Sequence, residues 1–407
     1  MLKIALQLAN SILMKVTGRT RVAPPLGSNT MGVDDLEIIN NWLKRKDEWY
    51  NEKETETLNR EFAQWNGSAH AFSFMAGRDA LSAAIDALGL KKEDEVIIPG
   101  YTCVQVPNAF HFAGVKVVYA DIELDTYGIN ARGLEKKITP RTKAIVIHHL
   151  YGLVCRDYEA LLNLARKRKL KVIEDCAQAA GAEFKGEKVG NQGNVAIYSC
   201  EHTMPFTAGQ GGLVTTNNSS IAKKLEQIYT QTQFPDEKRV QALLDTLLYN
   251  YYAYAHPKRW FLKDWKGYTF RNRLVEPLTQ DEIYGIRPDF YGTRMPAPIA
   301  AVALNQLKKL DRFNEQRRAN AVLWDMWCKE AGYKKPTVIE DSKPIFLRYP
   351  VLVEPQKKDD LNWAWEQLKV EPGTWFQANI HPSGSAVNSP ISDKAVAGCI
   401  NLPTLDV

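Results

Sequence analysis

Three short segments of the sequence carry residues that could bind a cofactor. Two of them end a strand-like apolar run, and the third begins a helical one. Asp175 ends the run LKVIED, and a carboxylate there can pair with a protonated ring nitrogen, as pyridoxal phosphate (PLP) requires. The segment AGRDAL around Gly77 is typical of a glycine turn that opens a helix, whose N–H groups bind phosphate. Ser199 follows another apolar run and offers a hydroxyl to that phosphate. Together these segments indicate a site for PLP.

Each signal has a plainer interpretation when it stands alone. An acidic residue after a strand is often a helix cap or half of an ion pair. The turn GQGG at residues 209–212 is also typical of a simple hairpin before the strand LVTTN. The combination of the segments is what favours a cofactor site.

An alternation of strands and helices from residue 69 onward must position these residues. Apolar runs such as EVIIPG, KAIVIHH and NVAIYSC are separated by helical patterns such as DALSAAIDALGL and DYEALLNLARKRK. Continuous apolar strands with helical crossovers predict an α/β fold, with a mostly parallel sheet that is covered on both faces. Ligands bind beyond the carboxyl ends of such strands, so we expect the three segments to meet there.

The composition of the 407-residue chain excludes several classes of protein. Apolar residues make up 45% and charged residues 24%, as in soluble globular proteins rather than disordered or polytopic membrane chains. The net charge of +5 is small and dispersed, so we expect no nucleic-acid partner. The six cysteines form no CxxC pair and no Cys/His cluster at metal-ligand spacing. We interpret them as reduced thiols of a cytoplasmic protein and expect no metal site.

The chain outside the alternating region divides into three parts. The sequence predicts an amphipathic extension over residues 1–20, which is too short and too polar to span a bilayer. Its apolar face packs on protein, or else residues 1–21 make a peripheral membrane contact. An aromatic-basic insertion near residues 235–290 forms a packed lobe or a surface for phosphates or lipid headgroups. From residue 297 a long helical pattern leads into a smaller α+β region.

The ordered motifs from about Arg21 to Leu310 resemble the DegT-type sugar aminotransferases, which are fold-type I PLP-dependent enzymes. The resemblance is carried by the blocks AGRDALSAAIDALGL, EDEVIIPGYTC, GVKVVYADIELDTYGIN, ITPRTKAIVIHHLYG, VIEDCAQAAGAEFKGEKVGNQGNVAIYS and AGQGGLVTTNN. It implies a fold-type I PLP-dependent transferase with a mostly parallel sheet. The large PLP-binding domain would cover residues 21–296, and a smaller C-terminal α+β domain would cover residues 297–407.

The same resemblance implies roles for individual residues. Asp175 would lie at the pyridine nitrogen and Gln178 near the phenolic oxygen, while Ser199 and the backbone of Gly77 and Arg78 would bind the phosphate. The implied activity is the transfer of an amino group from glutamate to a nucleotide-linked keto sugar, with PLP or pyridoxamine phosphate as cofactor. Such reactions serve polysaccharide, glycoconjugate or antibiotic sugar biosynthesis, and most members are homodimers.

The sequence departs from the family at the lysine that forms the Schiff base with PLP. In the family this lysine lies five residues before the first Gly of a Gly-Glu-Gly-Gly turn. Counting back from Gly209 gives Met204, and there is no lysine between Lys188 and Lys223. Methionine has no amine and no titratable proton, so it can act neither as nucleophile nor as general base. We therefore expect that the chain does not complete an ordinary transamination.

Other positions differ from the family with smaller consequences. Cys103 stands where an aromatic ring commonly lies against the cofactor, Arg78 replaces a Thr, and Gln210 replaces a Glu. Gly292 occupies a place where many members have an Asn that reaches into the neighbouring subunit's site. A thiol still packs on a ring, and backbone contacts survive a side-chain change. The last hundred or so residues carry no motif that fixes substrate contacts.

Three explanations of Met204 remain open at this point. In the first, methionine is an introduced replacement of lysine that traps the aminated cofactor. In the second, the chain is a natural non-catalytic homologue that binds cofactor or sugar nucleotide. The third explanation is a sugar dehydratase that needs no lysine, with pyridoxamine phosphate as cofactor and His202 as base. On a strand-like backbone His202 and Met204 would share a face.

Overall fold

The computed structural model describes residues 30–254, 274–382, 384, 386 and 388–405. The predicted extension and membrane contact of residues 1–21 therefore lie outside the described residues, as does the centre of the aromatic-basic insertion, residues 255–273. Within the described ranges, every helix is too short or too polar to cross a membrane.

The strands of the described residues are β1 (His70–Phe74), β2 (Glu95–Pro99), β3 (Thr102–Cys103), β4 (Lys116–Ala120), β5 (Thr142–His148), β6 (Lys171–Asp175), β7 (Glu183–Phe184), β8 (Glu187–Lys188), β9 (Val195–Ser199), β10 (Gly212–Thr216), β11 (Ser342–Lys343), β12 (Tyr349–Leu352), β13 (Ile380–His381) and β14 (Cys399–Leu402). Seven of them form one sheet in the order β1-β10-β9-β6-β5-β2-β4. β10 runs antiparallel to both of its neighbours, and the other pairs are parallel. The predicted mostly parallel sheet is confirmed.

The α-helices of the same ranges are α1 (Val33–Leu43), α2 (Lys53–Asn66), α3 (Gly77–Leu88), α4 (Gln105–Phe112), α5 (Ala131–Glu135), α6 (Tyr158–Arg168), α7 (Ser219–Gln231), α8 (Glu237–Tyr254), α9 (Gln280–Ile283), α10 (Ala297–Ala331), α11 (Pro355–Asp359), α12 (Asn362–Leu368) and α13 (Pro390–Gly398). Short 3₁₀ helices occupy Lys46–Glu48 and Leu150–Gly152.

Helices cover both faces of the sheet, which explains why its strands are continuous apolar runs. Along β2, Val96 and Ile98 pack in one cluster with side chains of α3, α4 and α7. Ile97 points the other way, into a second cluster with side chains of α2, α6 and α10. With both faces buried, a ligand can reach the parallel strands at their ends, and in such sheets it binds at the carboxyl ends.

The C-terminal part packs on the second half of α10 and touches the large sheet's carboxyl edge. β12 pairs antiparallel with β14, and Trp324 of α10 joins their core. β13 instead pairs in parallel with β3, placing Ile380 opposite Thr102 and His381 opposite Cys103. This pairing brings the segment around residue 380 to the mouth of the large sheet.

Candidate active site

A cavity of about 290 Å³ lies at the carboxyl ends of the parallel strands. It is lined by all eight residues that the sequence analysis assigned to the site: Gly77, Arg78, Cys103, Asp175, Gln178, Ser199, His202 and Met204. They come from β-strand ends, from the first turn of α3 and from the turn after β9. The sheet therefore brings together residues that are up to 127 positions apart in the sequence.

The first turn of α3 forms one end of the cavity. Its N-cap, Ala76, provides no side-chain hydrogen bond, so the first N–H groups are left for another acceptor. A Cβ atom on Gly77 would lie 3.2 Å from the Ser199 Cβ, and one on Gly212 would lie 2.5 Å from the Ala76 carbonyl. Glycine at these two places therefore lets the helix N-terminus, the Ser199 hydroxyl and β10 approach closely, which forms a cradle for a phosphate.

The Arg78 side chain points away from this cradle, into a buried polar cluster. Its Nε lies 3.2 Å from the Glu282 carboxylate, and its Nη1 donates to the Pro277 carbonyl at 3.0 Å. The Tyr291 hydroxyl and the Gln105 amide also donate to Glu282, at 2.6 and 3.1 Å. Since Glu282 takes up the guanidinium, it is the backbone of Arg78 that faces the phosphate cradle.

Asp79, next to Arg78 in α3, is buried with one backbone donor, the Gly292 N–H at 3.0 Å. Burial raises the pKa of Asp79 to about 6, against an ordinary value of 3.8, although Arg78 opposes the shift. The proton-bound carboxyl is therefore favoured in the folded state. The stabilisation of the fold by the protonated Asp79 carboxyl is complete below about pH 4 and is lost as the pH rises through about 6.

Asp79→Asn should remove this pH dependence, because Asn resembles the protonated carboxyl and still accepts from Gly292. We expect the free energy of unfolding of the wild type, relative to the variant, to rise by about 1–3 kcal/mol from pH 7 to pH 4.5. Urea denaturation of both proteins at both pH values measures it. Parallel stability curves for the two proteins would show that Asp79 titrates normally.

Asp175 and Gln178 also line the cavity. The Asp175 Oδ1 accepts the Ala177 N–H at 3.1 Å, which fixes the carboxylate at the end of β6. The Gln178 Oε1 accepts the Tyr151 N–H at 2.8 Å, so the amide NH₂ is the part of this side chain left for a ligand. A carboxylate suited to a ring N–H thus lies next to an amide donor suited to a ring oxygen.

His148 is a residue that the sequence analysis left without a role. It pairs directly with Asp175 across β5 and β6, lines the cavity, and is 4% exposed. Its Nδ1 has no hydrogen-bond partner among the described residues. Burial lowers the pKa of His148, while the Asp175 charge opposes that shift. A neutral imidazole therefore borders the Asp175 carboxylate.

Its neighbour His149 points to the other face and belongs to the core. Its Nδ1 accepts the Cys155 N–H at 3.2 Å, and its Nε2 lies 3.4 Å from Glu174. Glu174 also accepts the Tyr158 hydroxyl at 2.6 Å and three N–H groups of the segment 190–193. His149, Glu174 and Cys176 have ligand atoms within 4.8 Å of one another. Because protein donors already occupy the Glu174 oxygens, we interpret this group as a structural network.

Met204 and His202 lie in the turn between β9 and β10 rather than on a strand. The Met204 N–H donates to the Glu201 carbonyl at 3.0 Å, and both side chains line the cavity. His202 Nδ1 forms an ion pair with Glu201, whose carboxylate also accepts from Thr203. Burial favours the neutral imidazole, but the Glu201 charge outweighs it and raises the pKa of His202. Among the described residues that line the cavity there is no lysine.

One wall of the cavity comes from the C-terminal part and includes Trp375, Phe376 and His381. No sequence motif marks this wall. The wall reaches the cavity through the β13–β3 pairing, which joins segments almost 280 residues apart, so no local spacing could have indicated it. The only feature of the sequence that could have indicated this wall is the pair of adjacent aromatic residues, Trp375 and Phe376.

The family model for the "DegT/DnrJ/EryC1/StrS aminotransferase family" matches residues 31–252 and 270–406. The chain belongs to this family. The resemblance inferred from the motifs is therefore confirmed.

Named relatives of this family member include a GDP-perosamine synthase of Caulobacter vibrioides, 38% identical over 177 residues, which are 44% of this chain and 47% of the relative. An L-glutamine:2-deoxy-scyllo-inosose aminotransferase of Streptoalloteichus tenebrarius is 32% identical over 276 residues, 68% of this chain and 56% of the relative. The chain thus spans about half the length of the curated relatives it matches.

Solved structures share the fold at lower sequence identity. The E. coli GDP-4-keto-6-deoxy-D-mannose-3-dehydratase with bound hydrated PLP is 19% identical and superposes with a TM-score of 0.71. The match covers 93% of this chain and 94% of the dehydratase chain. The fold-type I architecture predicted from the motifs is confirmed by this likeness.

Proposed function

We propose that the chain is a PLP-binding member of the sugar aminotransferase family that acts on a nucleotide-linked keto sugar, with glutamate as the amino donor. The observation that carries the proposal is one cavity that joins Asp175 and Gln178 to a glycine-lined helix N-terminus with Ser199 beside it. The proposal is supported by the names of two curated relatives, GDP-perosamine synthase and L-glutamine:2-deoxy-scyllo-inosose aminotransferase.

The residues present fit pyridoxal phosphate or pyridoxamine phosphate. The uncapped first turn of α3 and the Ser199 hydroxyl would hold the phosphate. Asp175 would hold a proton on the ring nitrogen, and the Gln178 amide would donate to the ring oxygen. Cys103 would pack against the ring as a small apolar surface. When bound, the cofactor supplies a ring that withdraws electrons from a substrate carbon.

Met204 occupies the place of the family's Schiff-base lysine in this proposal. Its thioether can fill the space of a lysine stem, but it cannot form a covalent bond to the cofactor or move a proton. We therefore propose that the cofactor is held without a covalent bond to the protein. This property separates the chain from ordinary family members.

A second candidate function is a sugar dehydratase that uses pyridoxamine phosphate and no lysine. It is favoured by His202, which lines the cavity and pairs with Glu201. The carboxylate holds the imidazole in one orientation, so that its second nitrogen is free to accept or return a proton. A non-catalytic protein that binds cofactor or sugar nucleotide would need neither residue.

Further features of the proposal follow the family pattern. They are a homodimer in the cytoplasm, a large domain of residues 21–296, and a small domain of residues 297–407. A role in polysaccharide, glycoconjugate or antibiotic sugar biosynthesis is part of the same proposal, as is a peripheral membrane contact through residues 1–21. Failure of a fusion protein carrying residues 1–21 to bind anionic liposomes at low salt would remove the membrane contact.

Cofactor binding is the first test of the proposed function. The purified protein is mixed with PLP or, separately, with pyridoxamine phosphate, dialysed, and treated with borohydride. We expect the absorbance of bound cofactor to survive dialysis, and the mass of the denatured protein to stay unchanged after borohydride. Loss of both cofactors on dialysis would contradict the proposed function. A borohydride-fixed adduct would mean that another lysine reaches the cofactor.

A further inference from the structure

Tyr151 links the cofactor side of the cavity to the C-terminal wall. It is fully buried, and its backbone lies in the left-handed region with φ of 60°. Its N–H donates to the Gln178 Oε1 at 2.8 Å, and its hydroxyl donates to the Trp375 carbonyl at 2.5 Å. One residue therefore orients the amide that faces the cofactor and also holds the opposite wall in place.

Other hydrogen bonds fix the same short segment of the wall. The Tyr101 hydroxyl lies 3.1 Å from that of Tyr151 and accepts the Phe376 N–H at 2.8 Å. From the C-terminal part, Asn401 accepts the Trp375 N–H at 3.0 Å and donates to the Trp375 carbonyl at 3.2 Å. Every one of these donors and acceptors is protein, so the wall is positioned before any ligand binds.

The chemistry of the wall differs from that of the phosphate cradle. It presents Trp375, Phe376 and His381 to the cavity. Burial and the nearby Lys358 charge lower the pKa of His381 to about 4, so the imidazole is neutral at pH 7. The Arg348 guanidinium lies 4.6 Å from the centroid of the Trp375 ring but is not among the residues that line the cavity. The aromatic surface that does line it suits the C–H groups of a sugar ring better than a diphosphate. Asp175 and Ser199, by contrast, lie at strand ends of the large sheet, and Cys103 is the residue at which the two sides meet, because it pairs with His381.

We propose that Tyr151 is a positioning residue for the substrate, which seats the Trp375–Phe376 wall against the sugar ring of the nucleotide-linked sugar. The inference rests on the proposed function, because it needs the cofactor to occupy the Asp175 side of the cavity. Tyr151 acts through its hydroxyl on the wall and through its N–H on Gln178. Only the first of these is removed by Tyr151→Phe, so the two sides of the cavity can be tested separately.

Tyr127→Phe is a matched control. Tyr127 is also buried, and its ring packs edge-on against that of Tyr151 with centroids 5.3 Å apart. It makes no hydrogen bond to the wall among the described residues. Tyr101→Phe serves as a second test variant, since it removes the acceptor of the Phe376 N–H and the contact with the Tyr151 hydroxyl but keeps the Tyr151 bond to the Trp375 carbonyl.

The experiment compares the wild type with the three variants. Calorimetry measures the affinity for pyridoxamine phosphate, and then for GDP-mannose, UDP-N-acetylglucosamine and dTDP-glucose on the cofactor-loaded protein. Hydrogen exchange follows the Phe376 amide. For Tyr151→Phe and Tyr101→Phe we expect at least fivefold weaker binding of the sugar nucleotide that the wild type binds, and at least tenfold faster exchange at Phe376. Cofactor affinity should stay within twofold, and melting temperatures should match that of Tyr127→Phe.

The outcomes separate this inference from the proposed function. A wild type that retains no cofactor contradicts the proposed function itself. A wild type that binds cofactor but none of the three sugar nucleotides overturns the assignment of the wall to the sugar. Equal losses of cofactor and sugar-nucleotide affinity, or variants that behave like Tyr127→Phe, would show that Tyr151 has only a structural role.

Discussion

Met204→Lys should convert the chain into a protein that fixes PLP covalently. Met204 is partly buried and lines the cavity, in the turn that follows Ser199. A lysine stem has about the same length as the methionine side chain, so the amine would reach the space the thioether now fills. Partial burial favours a neutral, nucleophilic amine, although the Glu201 carboxylate in the same turn opposes it. Borohydride treatment followed by intact-protein mass spectrometry should then show the cofactor adduct, which the wild type lacks.

The same variant should gain reactivity toward glutamate. A positioned amine that acts as general base contributes roughly 10²–10⁴-fold to rate. We therefore expect conversion of bound PLP to pyridoxamine phosphate by glutamate to be at least about 10²-fold faster than in the wild type. Rapid-mixing absorbance spectroscopy measures this half-reaction in a single turnover.

Two matched variants at the same position test whether the adduct depends on the lysine amine. Met204→Leu keeps an apolar side chain, and Met204→Arg adds a charge that is not nucleophilic. Neither should yield an adduct. Retention of PLP by Met204→Lys without an adduct would mean that position 204 does not face the reactive carbon, and the assignment of this position would be wrong. Loss of PLP from all variants would point instead to general degeneration of the pocket.

The cofactor side of the cavity could be predicted from sequence because each of its parts is a local pattern. Asp175 ends an apolar strand, and Gly77 opens an amphipathic helix. Parallel strands must then bring their carboxyl ends to one edge, so the residues meet without any further information. The turn at residues 209–212 did not by itself predict that β10 passes so close to Ala76 that a side chain at Gly212 would collide.

The substrate side could not be predicted, for physical reasons that differ between residues. Trp375 and Phe376 reach the cavity through the pairing of the two-residue strands β3 and β13 and through hydrogen bonds to residues far away in the sequence. Neither kind of contact has a periodicity to detect. The Arg78 side chain turns away because Glu282, more than two hundred residues later, pairs with it. His202 and Met204 both line the cavity, but they lie in a turn and not on the strand-like backbone that would place them on one face.

Asp175→Asn should lower the affinity for the cofactor, whereas Glu174→Gln should lower the stability of the fold, although the two residues are neighbours. Asp175 faces the cavity, so loss of its charge should remove a charge-assisted hydrogen bond to the cofactor's ring nitrogen, worth about 1.5–3 kcal/mol. Cofactor affinity should therefore fall by roughly 10- to 150-fold. The Asn oxygen can still accept the Ala177 N–H, so we expect a nearly unchanged free energy of unfolding.

Glu174→Gln should leave the cavity lining intact and destabilise the fold. The Glu174 carboxylate accepts from Tyr158 and from the N–H groups of Gly190, Gln192 and Gly193. Although burial opposes it, these donors and His149 hold the pKa of Glu174 below its usual value. A glutamine would turn an NH₂ group toward N–H donors, at a cost of about 3–5 kcal/mol in unfolding free energy, as when a buried ion loses its partner.

Urea denaturation and cofactor titration give the unfolding free energy and the cofactor affinity of each variant. The side chains of adjacent strand residues point to opposite faces, so one face should respond in affinity and the other in stability. If both variants lose cofactor in proportion to their loss of stability, the cavity and the core behave as one unit and Asp175 has no separate role at the ring nitrogen. If Asp175→Asn binds cofactor as tightly as the wild type, the ring nitrogen lies elsewhere. The contrast between Asp175 and Glu174 therefore tests the cofactor's orientation independently of Met204.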